Sequence, residues 1–547
     1  MHPRKIDPGA FCTGHPLYDT AATRVIEGRL ASTLSAHTLI RRAGASVAAM
    51  ARAVAPHARR IWIACGPGNN GGDGLMAAAL LAPWAKAAGV RVQVSWCGNE
   101  RHLPSDALFA LHAAKAAHVE FADEPPVHCD LAIDALLGLG ANQQGREQKQ
   151  PPAQGLTDPI DTWTKCLYER ADTLLCVDIP TALNIENGML NVADNSIKSS
   201  VKSIFTITFL TLKPGLFTAH GKDLAGEVWF DDLGLSDSDA PVFLPPPTAW
   251  LGLAATPQNP HRRENTHKGQ FGDVWVLGGQ GLYPSGVAMV GAAMLAARAA
   301  LCSHAGRVFV VTLDDAALSW DPMQPELMLR NSRFLDDATP LPDGVWVCGC
   351  GGGEAVIAYL PKLLDQAVLL VLDADALNTV STHQSVAAVL QGRLSKGKIT
   401  VLTPHPLEAA RLLGWTTSQV QANRLKAAGM IAQRYQSICV LKGSGTIIAT
   451  PSGIISINPS GNSKLSIAGT GDVLAGMIGA ELARQSTVEG SQLSSNGLMD
   501  LALSAVSEAV FAHGQIADNW PHPHTLTASQ LVAALTDRLQ PTTINPT

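Results

Sequence analysis

Short apolar runs alternate along the chain with stretches in which small and apolar residues recur at helical spacing. That alternation is the pattern of α/β folds, whose mostly parallel strands are covered by helices on both faces. In the first half it predicts strands at Ile61–Cys65, Arg91–Trp96, Leu131–Asp134, Leu174–Asp178 and Ile204–Phe209, with helices over Thr33–Ala55 and Gly74–Ala88. Ala141–Asp161, rich in Gln, Pro and Gly, reads as a surface loop. A second series is predicted at Asp273–Leu277, Val308–Thr312, Val345–Cys348, Val368–Leu372, Ile399–Leu402, Ile438–Leu441 and Thr446–Ala449. Between the two series the periodicity fails and prolines gather at Pro241, Pro245 to Pro247, Pro257 and Pro260. Proline fixes φ and removes a donor, so 241–262 is the expected linker between a first domain over 1–240 and a second over 263–547.

Composition narrows the class. Apolar residues make up 46% and charged residues 16%, as in a soluble globular protein. A net charge of -6 leaves no basic face, so nucleic acid is not an expected partner. Met1–Cys12 carries basic residues without an apolar stretch behind them, unlike a signal peptide. The longest run of small and apolar residues, Ser285–Ala297, is too short to span a bilayer. These features imply a cytoplasmic protein away from membranes. The cysteines stand singly except Cys348-Gly-Cys350, which leaves a metal or redox site open beside the reading of buried thiols in a reducing compartment.

The first strand runs into Gly66-Pro-Gly-Asn-Asn-Gly-Gly-Asp-Gly74. Gly66, Gly68 and Gly71 satisfy the dinucleotide-binding spacing, but Asp73 would set a carboxylate where the pyrophosphate should lie, and Glu100 stands far along for a ribose ligand. The longer string Gly68-Asn-Asn-Gly-Gly-Asp73 is more specific. It is followed in order by Ile133-Asp-Ala-Leu-Leu-Gly-Leu-Gly140, Val177-Asp-Ile-Pro-Thr181 and Thr206-Ile-Thr-Phe-Leu-Thr-Leu-Lys-Pro-Gly215. Together these resemble the YjeF N-terminal family of NAD(P)H-hydrate epimerases, from about Tyr18 to Leu235. The resemblance implies a Rossmann-like three-layer αβα domain that interconverts the R and S forms of hydrated NADH and NADPH. It implies that Asp134 and Asp178 are catalytic, and that Asn69, Asn70, Gly71, Gly72, Asp73, Gly138 and Asp178 contact the hydrate. Potassium would be held by Asn70, Asp134 and Thr181. Epimerising the C6 centre needs carboxylates poised at the ring, and a hard cation wants oxygen ligands. Asp134 and Asp178 stand at predicted strand ends, where an aspartate can equally cap a helix. Thr181-Ala182 replaces the family's Ser-Gly, and Ile40-Arg41 its Met-Glu. Ala182 bears on activity if that backbone needs a positive φ.

The second half carries Lys268-Gly-Gln-Phe-Gly-Asp-Val-Trp-Val-Leu-Gly-Gly279, Tyr283-Pro-Ser-Gly286, Cys348-Gly-Cys-Gly-Gly-Gly353, Leu372-Asp-Ala-Asp-Ala-Leu-Asn378, Leu402-Thr-Pro-His-Pro-Leu-Glu408, Val440-Leu-Lys-Gly-Ser-Gly-Thr446 and Ala468-Gly-Thr-Gly-Asp-Val-Leu474. Amides opening a helix at Gly469–Gly471 would make an anion hole, and Asp472 in the first turn would take a proton from a hydroxyl being phosphorylated. The set resembles the YjeF C-terminal family, ribokinase-like NAD(P)H-hydrate dehydratases, from about His267 to Leu539. The resemblance implies ADP-dependent dehydration of the S hydrate, with Mg²⁺ following the phosphate. Asp472 would be the base, Val287, Gly351, His405 and Asp472 would contact the hydrate, and Lys442, Gly443, Ser444, Gly445, Thr446 and Gly471 would hold ADP. His405 between two prolines can also be a turn residue. Departures are Gly461-Asn-Ser-Lys464 for Asn-Pro-Gly, Leu407 for Gly, and Gln280 for Ser. Lys464 is placed to reach the nucleotide's phosphates or to lie solvated in its loop.

Two rivals remain at this stage: a small-molecule kinase sharing the Gly-Thr-Gly-Asp element, and a non-catalytic binding or dimerisation module in the N-terminal half. The expected partners are the two hydrates and ADP, in a homo-oligomer.

Overall fold

The computed structural model describes residues 3–7, 14–139, 159–191, 197–236, 244–253, 265–282, 285–313, 320–337, 340–488 and 495–537. The chain forms two compact units: Met1–Asp7 with His15–Ala249, and Pro8–Gly14 with Trp250–Thr547. The expected linker is described over 244–253, where Ala249–Leu251 is a strand. The expected loop at Ala141–Asp161 lies outside the described residues except at its end, where the helix Pro159–Arg170 begins.

In the first unit the sheet order is Arg4–Lys5, Glu227–Asp231, Ser203–Phe209, Ala171–Val177, Cys129–Ala135, Arg60–Cys65, Arg91–Trp96 and Glu120–Phe121. Every pairing is parallel except that of Arg4–Lys5. The chain builds outward from Arg60–Cys65 to one edge, then returns to its other side at Cys129–Ala135. That reversal opens a crevice beyond the carboxyl ends of these two strands, where open α/β sheets bind ligands.

The helix predicted over Thr33–Ala55 is present as Thr38–Val54, and a further helix, Thr20–Thr33, precedes it. Between them Ser35 and Thr38 bond to each other at 2.9 Å and His37 is left-handed, a local side-chain arrangement that competes with helix. The next helix begins at Asn69, not Gly74, so the glycine string is its opening turns. Its glycines permit close approach: a Cβ on Gly72 would strike Ile40 and Ala107, and one on Gly74 would strike Ala135 and Cys65. The helix thereby lies tight on the sheet with Asn69, Asn70 and Asp73 at the crevice.

The second unit repeats the logic. Its sheet runs Met328–Asn331, Arg307–Leu313, Asp273–Gln280, Val345–Cys348, Leu369–Leu372, Ile399–Leu402, Ile438–Leu441, Ile447–Ala449 and Ile455–Ile457. The strands are parallel up to Ile438–Leu441, and the last two add antiparallel hairpins. The order reverses between Asp273–Gln280 and Val345–Cys348. Helix Thr470–Val488 packs against the helix Val290–Cys302, in which alanine recurs, and a Cβ on Gly476 would collide with the Ala296 carbonyl. This contact fixes the height at which the first turn, with Asp472, meets the crevice. Both units thus have the doubly wound α/β architecture expected of Rossmann-like and ribokinase-like domains. No helix among the described residues is long and apolar enough to cross a membrane.

Candidate active sites

The first crevice holds a cavity of about 420 Å³ whose wall includes Asn69, Asn70, Asp73, Gly138 and Asp178. Asp178 follows the strand Ala171–Val177 in a left-handed conformation, φ 66°, costly for a residue with a Cβ. Its Oδ1 accepts from the Phe209 amide at 3.2 Å, from Thr208 at 3.3 Å and from the Lys213 ammonium. Lys213 is wholly buried and also donates to Thr208 Oγ1 at 2.9 Å and the Phe209 carbonyl at 2.8 Å. A buried ammonium with all three protons placed thus makes a charge-assisted pair with the carboxylate at the cavity wall.

Asp73 has the opposite environment. Burial first, then the charges of Asp178, Glu27 and Asp106, hold its carboxyl well above the usual range. Glu27 is raised by burial and by Asp178, against the pull of Lys213 and Arg24. The cavity therefore opposes a carboxyl paired with a cation to carboxyls whose pKa is raised.

Asp134 and Thr181 lie beneath the cavity rather than on its wall. Asp134 is fully buried and accepts from Thr181 Oγ1 at 2.7 Å, the Thr181 amide at 2.8 Å and the Leu136 amide at 3.3 Å. Burial raises its pKa against the pull of those bonds. Asn70 is buried with neither amide atom partnered, and a Cβ on Gly138 would lie 3.2 Å from its Oδ1. Gly71 and Gly72 are packed into the fold and do not face the cavity. Ala182 is not among the residues with positive φ, so the Ser-Gly departure needs no left-handed backbone. Ile40 lines the cavity, while the Arg41 guanidinium stacks 4.8 Å over Phe109.

In the second crevice Lys442 ends the strand Ile438–Leu441. Its Nζ donates to Asp373 Oδ1 at 2.7 Å, and an atom added at Gly471 would meet that Nζ at 3.3 Å. An ammonium thus stands at the opening of the helix Thr470–Val488. Burial works against its charge, but Asp373 and Glu408 outweigh this and hold its pKa above the usual value. Asp472 is pushed up to about 6, by burial first and then by Asp373.

Residues Lys442 to Thr446 form the hairpin turn between two antiparallel strands. Buried Arg424 braces this turn from below, donating to the Gly445 carbonyl at 3.2 Å and the Lys442 carbonyl at 3.4 Å. Ser444 is exposed on the turn, and Thr446 Oγ1 closes it on the Gly443 carbonyl at 3.3 Å.

His405 caps the helix Pro406–Leu413: Nδ1 accepts from the Leu407 amide at 3.1 Å and the Glu408 amide at 3.3 Å. That fixes its proton on Nε2. Burial and the Lys442 charge lower its pKa, so the ring is neutral. Gly351, φ 57°, forms the turn after Val345–Cys348. Val287 is exposed, and its carbonyl accepts from Gln280 Nε2 at 3.1 Å. The Gln280 backbone amide donates to the Gly351 carbonyl at 2.7 Å, so only the side-chain bond to Val287 is owed to the departure at Gln280. Lys464 is aimed elsewhere than phosphate: its Nζ donates to the Trp520 carbonyl at 3.1 Å.

Sequence reasoning did not single out Lys213, Glu27, Asp373 or Arg424. Lys213 and Asp373 were inside quoted strings, and each is a charged residue at the end of an apolar run, a visible signal.

Comparison with known proteins follows this division. A family described as YjeF-related protein N-terminus matches residues 36–215, and one described as NAD(P)H-hydrate dehydratase matches 274–540. A Coxiella burnetii protein named bifunctional NAD(P)H-hydrate repair enzyme Nnr is 31% identical over 520 residues, 93% of this chain and 99% of its own. The Escherichia coli protein of the same name is 32% identical over 462 residues, 83% of this chain and 82% of its own. A Neisseria meningitidis protein named ADP-dependent (S)-NAD(P)H-hydrate dehydratase is 40% identical over 226 residues, 41% of this chain and 73% of its own.

Proposed function

The chain belongs to the bifunctional NAD(P)H-hydrate repair enzymes, and from that premise we propose how its two crevices divide the work. The first unit interconverts the R and S hydrates of NADH and NADPH. The second dehydrates the S form to the dihydronicotinamide at the expense of ADP.

In the first unit Asp73, whose carboxyl is raised by burial, gives its proton to the C6 hydroxyl, which leaves as water with the C–O electrons while the N1 lone pair forms an iminium with C6. Water then adds to the opposite face of C6 and passes its proton to Asp178, which is paired with Lys213, and the two carboxyls are reset through solvent. Asn69, Asn70 and Gly138 line the substrate's path, with Gly71 and Gly72 supporting them from behind. The buried, unpartnered Asn70 amide, packed against Gly138, and the oxygens of Asp134 and Thr181 are donors of the kind a hard monovalent cation takes, and these three residues would hold potassium. Potassium would supply fixed positive charge near the site.

In the second unit Lys442, Gly471 and the Gly443 to Thr446 turn receive ADP, whose phosphates meet the ammonium and the helix-opening amides. Asp472 takes the proton of the C6 hydroxyl as its oxygen accepts the terminal phosphoryl group of ADP, and AMP departs with the electrons of the broken P–O bond. Phosphate then departs with the C–O electrons and carries away the neighbouring C5 proton, which restores the ring double bond. Val287 and Gly351 flank the hydrate, with neutral His405 beside them. Magnesium would come with the nucleotide and screen its phosphates. The described cysteines are thiols rather than disulfides, in keeping with a cytoplasmic home.

The observation that carries this reading is the meeting of Lys442 and Asp472 at one helix terminus. Incubating the protein with mixed hydrate epimers is the test, following recovery of dihydronicotinamide absorbance with and without ADP. Full recovery with ADP is expected. A stable phosphorylated product would favour a kinase, and recovery that stops when the S form is gone would refute the epimerase.

A further inference from the structure

Neither mechanism uses Cys350. It sits in the turn after Val345–Cys348, and its orientation is fixed: Gly349 and Gly351 on either side have φ of 116° and 57°, and its carbonyl accepts from the Gly279 amide at 3.0 Å. This turn directs a fully buried thiol at two carboxylates. Cys350 Sγ lies 3.9 Å from Asp373 Oδ2 and is hydrogen bonded to the Asp472 side chain. One donor atom from each of the three lies within 4.8 Å of the others.

Asp373 spends Oδ1 on Lys442 and Thr403, both at 2.7 Å, which leaves Oδ2 turned toward the sulfur. The ligands come from three separate segments, two strand ends and a helix start, so their convergence is a product of the fold. Two carboxylates alone would suit a hard cation. A thiolate beside them shifts preference toward softer, thiophilic metals of tetrahedral habit. Burial and the two carboxylates push the Cys350 thiol up, so a divalent cation must displace its proton in order to bind.

We propose that Cys350, Asp373 and Asp472 form a binding site for a thiophilic divalent cation of the zinc or cadmium type, and that occupation silences the dehydratase. Binding replaces the S–H bond by an S–metal bond and releases that proton to solvent. The fourth position stays open to water or a phosphate oxygen. Silencing rests on the reading of Asp472 as the base; the site itself does not.

The probe is cadmium chloride added to the full-length protein at neutral pH without nucleotide, read by the ultraviolet charge-transfer band of a cadmium–thiolate bond. One equivalent of band is expected in the wild type and in Cys348→Ser. It should be lost in both Cys350→Ser and Cys350→Ala, each checked for a cooperative thermal transition. No band in the wild type, or an undiminished band in the folded Cys350 variants, overturns the site. Under the same cadmium concentration the dehydratase should fall at least about tenfold while epimerisation continues. A band that depends on Cys350 without loss of dehydration leaves the site standing and refutes the role given to Asp472.

Discussion

The two crevices use the same parts to different ends. Each lies where an open parallel sheet reverses its strand order, each is bounded by the start of a glycine-rich helix, and each pairs a lysine with an aspartate. In the first, Lys213 is wholly buried and Asp178 only 10% exposed. In the second, Lys442 is 19% exposed and faces a helix opening. A sealed ammonium can only pair with its carboxylate, whereas one at a helix terminus is open to an anion. On the proposed division of work, the accessibility of the lysine separates proton chemistry from phosphate chemistry.

The strongest way to break the comparison is to disable one crevice and watch the other. Asp472→Asn should lower ADP-dependent dehydration by roughly 10²–10⁴, the usual worth of a general base, with epimerisation intact. Single-turnover dehydration of the S hydrate, run beside an epimer-exchange assay, measures both. Near wild-type turnover would remove Asp472 from the mechanism.

The mirror experiment is Lys213→Met. It leaves Asp178 buried without its cation, a loss of about 3–5 kcal/mol to the first unit, and should abolish epimerisation. Calorimetry should show the first unit melting early. Adding Asp178→Asn should restore much of the stability but none of the activity, whereas a purely structural pair would recover both.

The two activities should also separate in pH. Asp472 titrates near about 6, so below that value it holds a proton and cannot act as base. Dehydratase kcat/KM should fall about tenfold per unit of pH under about 6. The epimerase, whose Asp73 must stay protonated, should not share that limb. Parallel pH profiles decide it, and coincident limbs would point to a common cause such as unfolding.

Smaller effects sharpen the nucleotide side. Arg424→Lys removes the guanidinium fork that braces the Lys442 to Thr446 turn and should weaken ADP about tenfold, roughly the value of one buried charged hydrogen bond. Lys464→Ala should leave ADP affinity unchanged at low and high salt, because its ammonium is engaged by the Trp520 carbonyl. Calorimetric titration of both variants with ADP serves as the check, and a salt-dependent loss in Lys464→Ala would return that side chain to the phosphates.

Much of the fold was legible because a strand buried on both faces must be apolar along its whole length. Ile61–Cys65, Ile399–Leu402 and Ile438–Leu441 could hardly be read otherwise. The strands left unread were short or marginal: Glu227–Asp231 is bounded by acids and half-exposed, and Met328–Asn331 lies at a sheet edge with its last two residues exposed. The helix expected over Thr33–Ala55 starts late, at Thr38, because the polar turn at Ser35–Thr38 delays it without disturbing the apolar count.

By itself the sequence determined the two α/β series, the strand-end carboxylates Asp134 and Asp178, and the helix-opening Asp472, because apolar period and glycine spacing are local properties. Which side chains meet was decided by the tertiary structure alone. Asp178 finds Lys213 across 35 residues and Asp373 finds Lys442 across 69, in each case because parallel strand ends converge on one edge of the sheet. The upward pKa shifts of Asp73 and Asp472 arise at the same level, since they follow from burial and from the charges packed beside them. Local spacing carries no record of either, because desolvation and Coulomb coupling depend on distance through the fold and not along the chain.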